Sequence, residues 1–315
     1  MNNDLKLTIA IPSYNAKVQL ERLLKSIYTG APTISFEVIV SDDASTDGTQ
    51  TMINDMFPHV CFITHSNRVG VSISTQDIIA SMKGEYLLRL DADTEVTWET
   101  ITHLVTYLDE HPSVGAVSPM LVNDDGSFQP SYETHFKAPL EWFWDYSLWI
   151  KKVFRKGIKA FSSVQEVSYL ATAAVLFRST AVHETGGLDP HMEFFMEDAD
   201  WLIRIHKAGW KIIFDPRVKI IHVGGQSGTL YIHTRNISLK NIRYFYKKHV
   251  PGVFTVPLLD TAILSGSLIS LILALIAVPF LWWTSKNRII VVRSLKSFSN
   301  VFAWYTKKLL RLNIT

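Results

Sequence analysis

Three short apolar runs near the start of the chain each end in a polar cluster, and that alternation limits the architectures open to it. Leu5-Lys6-Leu7-Thr8-Ile9-Ala10-Ile11 stops at Pro12 and continues as Ser13-Tyr14-Asn15. Residues 36–40 lead into Ser41-Asp42-Asp43-Ala44-Ser45-Thr46-Asp47-Gly48, and residues 86–90 lead into Asp91-Ala92-Asp93. Between the first two runs, Val18, Leu20, Leu23, Leu24 and Ile27 recur at helical spacing. Residues 60–64 and 114–117 add two more strand signals. Short apolar strands separated by helix-length segments predict an α/β fold, a mostly parallel sheet with helices on both faces.

Beyond residue 120 the pattern loosens. Asn123-Asp124-Asp125-Gly126 marks a turn, and an aromatic stretch follows at Trp142-Phe143-Trp144-Asp145-Tyr146-Ser147-Leu148-Trp149. Two readings of that stretch stay open, contact with an acceptor or a membrane interface and ordinary core packing. Residues 167–177 read as one strand, 198–208 as a helix stopped at Gly209, and 211–214 and 219–223 as two short strands. The single cysteine, Cys61, rules out an internal disulfide framework and fits a reducing compartment. It sits inside Val60-Cys61-Phe62-Ile63 and is expected to be a small core residue. Nothing at the N-terminus resembles an export signal, so the folded part is expected in the cytosol.

The net charge of +2 hides a division. Up to Thr234 there are 19 Lys and Arg against 28 Asp and Glu; from Arg235 onward there are 12 basic residues and one acid, Asp260. An acidic body with a basic, apolar tail is not a nucleic-acid-binding pattern and suggests an enzyme tethered to anionic lipid. Residues 262–283 carry no charge, and as a helix they measure roughly 33 Å, enough to cross a bilayer core. Basic residues flank both sides, which conflicts with a simple span. A re-entrant segment broken near Gly266 or Pro279, a helix lying in the interface, and a buried core helix all remain open. Leu295, Phe298, Phe302, Tyr305 and Leu309 then repeat at three- and four-residue steps beside Lys307, Lys308 and Arg311, which suits a surface-lying amphipathic helix.

In open parallel sheets, ligands bind beyond the carboxyl ends of the strands. Two acidic clusters and an aromatic at three such ends point to a nucleotide site with a divalent cation, since carboxylates are hard oxygen ligands and the metal offsets diphosphate charge. Tyr14 can stack on a base, and Asp43 can accept a hydrogen bond from a pyrimidine nitrogen.

The segments Ile9-Ala10-Ile11-Pro12-Ser13-Tyr14-Asn15, Val38-Ile39-Val40-Ser41-Asp42-Asp43-Ala44-Ser45-Thr46-Asp47-Gly48-Thr49 and Leu90-Asp91-Ala92-Asp93 resemble the three N-terminal signatures of family 2 glycosyltransferases. The likeness covers roughly residues 5 to 225. It implies a GT-A fold over residues 1–235, with a nucleotide-sugar half to about 120 and an acceptor half from 121. Residues 236–315 would form the membrane-associating region. It also implies inversion at the anomeric carbon, with Mn²⁺ or Mg²⁺ bound by the "DxD" acids Asp91 and Asp93, Asp93 most directly. Pro12, Tyr14, Asp43 and Asp91 match positions that bind the donor. Arg68, in Asn67-Arg68-Val69-Gly70, matches a loop near the diphosphate, and an ordinary surface arginine is its other reading. Glu193-Phe194-Phe195-Met196-Glu197-Asp198-Ala199-Asp200 is similar to the acceptor-side "ED" motif, which makes Asp198 the general base and Glu197 its reserve. Alternatively these acids merely complement a helix dipole. His222-Val223-Gly224-Gly225-Gln226-Ser227 looks like the "HxxGxS" element of the rhamnosyltransferase-like subgroup, whose histidine joins the metal.

The subgroup favours dTDP-L-rhamnose as donor, with UDP-sugars using the same pocket plan. A polyprenyl-linked or oligosaccharide acceptor at the cytoplasmic face of a bacterial membrane fits the basic, apolar tail. The sequence lacks the Gln-x-x-Arg-Trp element of processive synthases, so one sugar per encounter is expected. A sugar-nucleotide pyrophosphorylase would need a glycine-rich basic loop where Pro12-Ser13-Tyr14-Asn15 stands. The alternative function is a non-catalytic sugar-nucleotide-binding or scaffold protein of a membrane glycan-assembly complex.

Overall fold

A computed structural model describes residues 5–146, 161–192, 195–224, 233–281 and 285–309. Contacts divide the chain into two compact units, Met1–Phe136 with Lys159–Gly228, and Lys137–Ile158 with Thr229–Thr315.

The first unit is built on one sheet. Its strands are β1 (Leu7–Ser13), β2 (Phe36–Asp42), β3 (Cys61–Thr64), β4 (Tyr86–Leu90), β5 (Thr94–Glu95), β6 (Val114–Val122), β8 (Gln165–Glu166), β10 (Ala174–Arg178) and β11 (Lys211–His222), while β7 (Tyr132–Glu133) and β9 (Tyr169–Leu170) pair separately. The order is β3-β2-β1-β4-β10-β6-β11-β5, with β8 beside β11. The first four strands are mutually parallel, β11 is parallel to β6, and β10 runs antiparallel between β4 and β6. All seven residues of β1 and all five of β4 are buried, as expected of central strands covered on both faces.

Alternate residues of these strands feed two cores. Leu7, Ile9, Ile11, Leu88 and Leu90 pack with Leu20, Leu23 and Leu24 of the Lys17–Tyr28 helix and Leu104 of the Trp98–Glu110 helix. Ala10, Ile39, Leu87 and Phe177 pack with Ile78 of the Val71–Ser81 helix and Trp201, Leu202 and Ile205 of the Glu197–Lys207 helix. Each fully buried Leu or Ile contributes about 1.5–3 kcal/mol. Val18 falls off the stripe and is 72% exposed.

Several sequence expectations are corrected. β1 continues through Pro12 to Ser13, because its pairing with β4 ends at Ala10 and the proline sits where the strand has one neighbour. Cys61 is exposed rather than core, because β3 is the outer strand of the sheet and is covered on neither edge nor face as fully as its neighbours. Residues 167–177 are not one strand: β9 pairs with β7, and β10 begins only at Ala174, between β4 and β6. The two short strands expected at 211–223 are one, broken in register between Asp215 and Lys219, where Asp215 turns inward to hold Arg217 and His103.

In the second unit, the Trp142–Tyr146 helix packs on a long helix, Thr255–Leu281. Trp142 is buried and donates to the hydroxyl of Tyr246, at 2.7 Å, so this member of the aromatic stretch belongs to core packing. Trp144 is exposed, and Trp149 lies outside the described residues. The Thr255–Leu281 helix runs unbroken through Gly266 and Pro279, so the expected break is absent. A further helix, Ser285–Leu309, packs along it. Tyr305 donates to Asp260 at 2.6 Å, which makes the pair antiparallel.

Gly84 begins the turn into β4, and a Cβ there would lie under 3 Å from backbone atoms of Leu7, Thr8 and Tyr86. Gly84→Ala is expected to lower the unfolding free energy by about 2–3 kcal/mol in a denaturant titration, since backbone cannot yield as a side chain would.

Candidate active site

β4 ends at Leu90, and Asp91 follows with its N–H donating to the carbonyl of Ala173 at 2.8 Å. Three residues on, β5 pairs antiparallel with the end of β11, setting His222 opposite Thr94. The Val223 N–H donates to the Asp93 carbonyl at 3.0 Å. This pairing closes the long gap between the acidic pair and the histidine. One donor atom each from Asp91, Asp93 and His222 lies within 4.8 Å of the others. His222 Nε2 is 3.2 Å from Asp93 and 3.9 Å from Asp91.

Gln129 sets the ring. Its Oε1 is 2.7 Å from His222 Nδ1, and an amide oxygen only accepts, so Nδ1 carries the proton and Nε2 faces the carboxylates. Burial alone would depress the imidazole, but the hydrogen bond to Asp93 and the charges of Asp93 and Asp91 outweigh it and raise the His222 pKa. For Asp93 burial pushes upward, and the His222 hydrogen bond and charge hold the carboxyl below its usual range. Two carboxylates and an imidazole nitrogen form a donor set suited to Mn²⁺ or Mg²⁺, so these residues fit a divalent cation.

A buried arginine stands behind the cluster. Arg89, in β4, is 2.8 Å from Asp91 Oδ1 and also donates to the carbonyl of Thr172, while its Nε has no partner. Asp91 thereby turns one oxygen to Arg89 and the other, Oδ2, toward His222.

The second cluster opens the Glu197–Lys207 helix, after Phe195 and Met196, both at φ +73°. Left-handed backbone costs a non-glycine residue roughly 1–2 kcal/mol. The first-turn acids divide into two kinds. Asp200 is fully buried and paired with Arg204 at 2.8 Å, which is the structural role. Glu197 Oε2 is buried with no hydrogen-bond partner. Burial, then the neighbouring Asp198 charge, push the Glu197 pKa up to about 8, against the pull of its backbone hydrogen bond and Arg89. Burial also raises the Asp198 carboxyl, with the Tyr169 hydroxyl at 2.6 Å and the Ala199 N–H at 2.8 Å resisting. The helix dipole favours ionised acids here, and burial outweighs it. Both carboxyls are thus held above their ordinary range.

The loops after β1 and β2 are tied together: Asn15 N–H donates to Ser45 Oγ at 2.7 Å, and Asn15 Oδ1 accepts from Thr46 at 2.8 Å. Asp43 is buried beneath them and accepts from Val69 N–H at 2.5 Å and Gly70 N–H at 3.2 Å. Arg68 lies 3.6 Å from Asp43 Oδ2 and stacks 4.1 Å over the Tyr14 ring. The structure therefore brings Tyr14, Asp43 and Arg68 into one patch, with Pro12 buried within β1 nearby in sequence. Gly225, Gln226, Ser227, Glu193 and Phe194 lie outside the described residues. A groove lined by Trp98, His103, Tyr107 and Arg217 holds none of these site residues.

Sequence reasoning missed Arg89, Gln129 and Tyr169. Arg89 carried a signal, a lone charge inside the apolar run Tyr86-Leu87-Leu88-Arg89-Leu90. Gln129 and Tyr169 carried none, because each acts on a partner distant in sequence.

The Glycosyl transferase family 2 profile matches residues 8–184. An N-acetylglucosaminyl-diphospho-decaprenol L-rhamnosyltransferase of Mycobacterium tuberculosis is 26% identical over 234 residues, covering 69% of this chain and 75% of its own length. Abequosyltransferase RfbV of Salmonella typhimurium is 31% identical over 114 residues, 34% of each chain. Among solved structures, a mannosyltransferase of Pyrobaculum calidifontis in complex with GDP-Man and Mn²⁺ superposes with a TM-score of 0.58 at 18% identity, covering 96% of this chain and 87% of that one. S. aureus TarS 1-349 gives 0.56 at 14% identity, covering 94% and 81%. These neighbours establish the GT-A fold.

Two outcomes are expected. Gln129→Leu should weaken Mn²⁺ binding about 10–100-fold by calorimetry, by freeing the His222 ring to turn. Glu197 takes its proton more tightly folded than unfolded, so its stabilisation is complete below the unfolded pKa and is lost as pH rises toward 8. Without divalent cations, Glu197→Gln should therefore gain on the wild type by up to about 1.4 kcal/mol per pH unit from pH 5 to 8. A constant difference in denaturant titrations across that window would contradict the raised pKa.

Proposed function

The chain belongs to glycosyl transferase family 2 and is a glycosyltransferase, and we propose that it moves one sugar from a nucleotide-diphosphate donor to a hydroxyl acceptor with inversion. The observation that carries this reading is the cluster of Asp91, Asp93 and His222, with an acid pair of raised pKa in reach of the same buried arginine. A divalent cation held by those three residues would neutralise the departing diphosphate.

The rest falls to side chains. Tyr14 and Asp43 hold the nucleoside, with Pro12 behind them, and Arg68 leaves the Tyr14 face it covers to meet the diphosphate. Asp198 takes the proton of the acceptor hydroxyl as its oxygen bonds to the anomeric carbon and the bond to the diphosphate oxygen breaks on the opposite face. The Tyr169 hydroxyl and Ala199 N–H, each on one carboxylate oxygen, hold Asp198 in one rotamer. Glu197, protonated near neutral pH, donates a hydrogen bond to a sugar hydroxyl or takes over as base.

We favour dTDP-L-rhamnose, because the Mycobacterium tuberculosis relative is named for L-rhamnosyl transfer to a diphospho-decaprenol glycan; UDP-sugars are the alternative. A polyprenyl-linked acceptor follows from the same likeness. Residues 1–235 would carry catalysis, and 236–315 would hold the enzyme to the cytoplasmic face of the membrane.

Asp198→Asn is expected to lower kcat about 10²–10⁴-fold while leaving Mn²⁺-dependent stabilisation by the donor intact. A panel of dTDP-L-rhamnose and UDP-sugars, scored by thermal shift with Mn²⁺ and with EDTA, names the nucleotide. Activity unchanged in Asp198→Asn would remove that residue as base.

A further inference from the structure

The second unit ends in two helices whose pairing bears on how this chain meets a membrane. Thr255–Leu273 has a mean hydropathy of 1.9 and is long enough to cross, and only 33% of it is buried. The uncovered residues of the Thr255–Leu281 helix form a stripe: Leu258, Leu268, Ile272, Leu275 and Ile276, the last 61% exposed. The returning Ser285–Leu309 helix exposes Val292, Leu295 and Phe302 at helical spacing. The loop before the pair adds Val253 and Phe254, at 87% and 74% exposed.

The polar end of the hairpin is locked. Asp260 accepts from Arg243 and from the Tyr305 hydroxyl, and Lys308 lies 3.9 Å away. Arg243 and Lys308 also sit over the Trp304 ring. The only acid beyond Arg235 is thus engaged internally, while Lys240, Lys247, Lys296 and Lys307 are exposed. An apolar stripe in a unit with exposed lysines complements an anionic lipid surface.

The antiparallel pairing decides the depth. Were the first helix to cross, the second would be drawn through beside it, carrying the exposed Lys296 into hydrocarbon, where a charge is costly. We infer that the Thr255–Leu281 and Ser285–Leu309 helices form a monotopic hairpin lying in the plane of an anionic leaflet, closed at one end by Arg243, Asp260 and Tyr305. The inference rests on the membrane association proposed above and is independent of the sugar chemistry.

The full chain is tested in two ways. First, flotation with vesicles containing phosphatidylglycerol is expected to carry the protein, and phosphatidylcholine vesicles to carry at least ~10-fold less. Replacing Lys240, Lys247, Lys296 and Lys307 with Glu should remove the difference without changing the thermal unfolding midpoint. Second, Ser285→Cys, in a Cys61→Ser background, is expected to react with a membrane-impermeant maleimide in inverted inner-membrane vesicles and not in intact spheroplasts. Labelling in spheroplasts would mean a crossing and overturn the hairpin. Equal binding to both lipids, or none to either, would overturn the anionic surface. Donor-dependent thermal stabilisation, measured on the same samples, reports separately on the transferase reading.

Discussion

A buried guanidinium holds the centre of the first unit together. Arg89 sits in β4, the strand between β1 and β10, with 4% of its surface exposed. A charge so placed survives only if paired, and removing the partner of a buried ion typically costs 3–5 kcal/mol. Arg89 meets this demand with Asp91 and the Thr172 carbonyl, and its charge also reaches Glu197, Asp198 and His222. Four carboxylates, Asp91, Asp93, Glu197 and Asp198, therefore gather around one buried cation and one imidazole. Without Arg89, both acids of the helix turn would be pushed further toward their neutral forms.

That arrangement depends on the sheet changing direction. β1, β2, β3 and β4 run parallel, so their carboxyl ends present Tyr14, Asp43 and Asp91 on one edge. β10 enters antiparallel, and beyond it β11 runs parallel to β6 until its last residues meet β5. Only this final two-residue pairing brings His222 to Asp93. The helix that carries Glu197 and Asp198 packs on the sheet through Trp201, Leu202 and Ile205, and Trp201 stacks on Phe177 of β10 at 4.3 Å. The strand that buries Arg89 on one side thus fixes the acid pair on the other.

How much of this is legible in the sequence follows from the range of the forces involved. β1, β2 and β4 are central strands whose neighbours bury both faces, so their sequences are apolar runs visible without a structure. β5, β7, β8 and β9 are two residues each and exist because of their partners; no periodicity can announce them. Cys61 was misread because an apolar run does not reveal whether its strand lies at an edge. Pro279 suggested a break, whereas the helix continues through it to Leu281. The acids and His222 were legible because ligand chemistry collects at strand ends, whereas Gln129 and Tyr169 act through single long-range hydrogen bonds.

The acid pair also connects the two halves of the site. The charge of Asp91 is among the causes that raise Glu197, and Asp91 shares its other oxygen with the metal cluster. A divalent cation bound there would offset that charge and add a field of opposite sign, so a proton on Glu197 would be held less tightly once the cation is in place. By reciprocity, ionising the pair strengthens cation binding by the same free energy. In the proposed reaction this gives a physical reason for order: an empty donor site leaves both acids raised, and a filled one lowers them. Burial supplies the high resting pKa, Arg89 keeps it from rising out of range, and the occupancy of the neighbouring cluster sets when it falls.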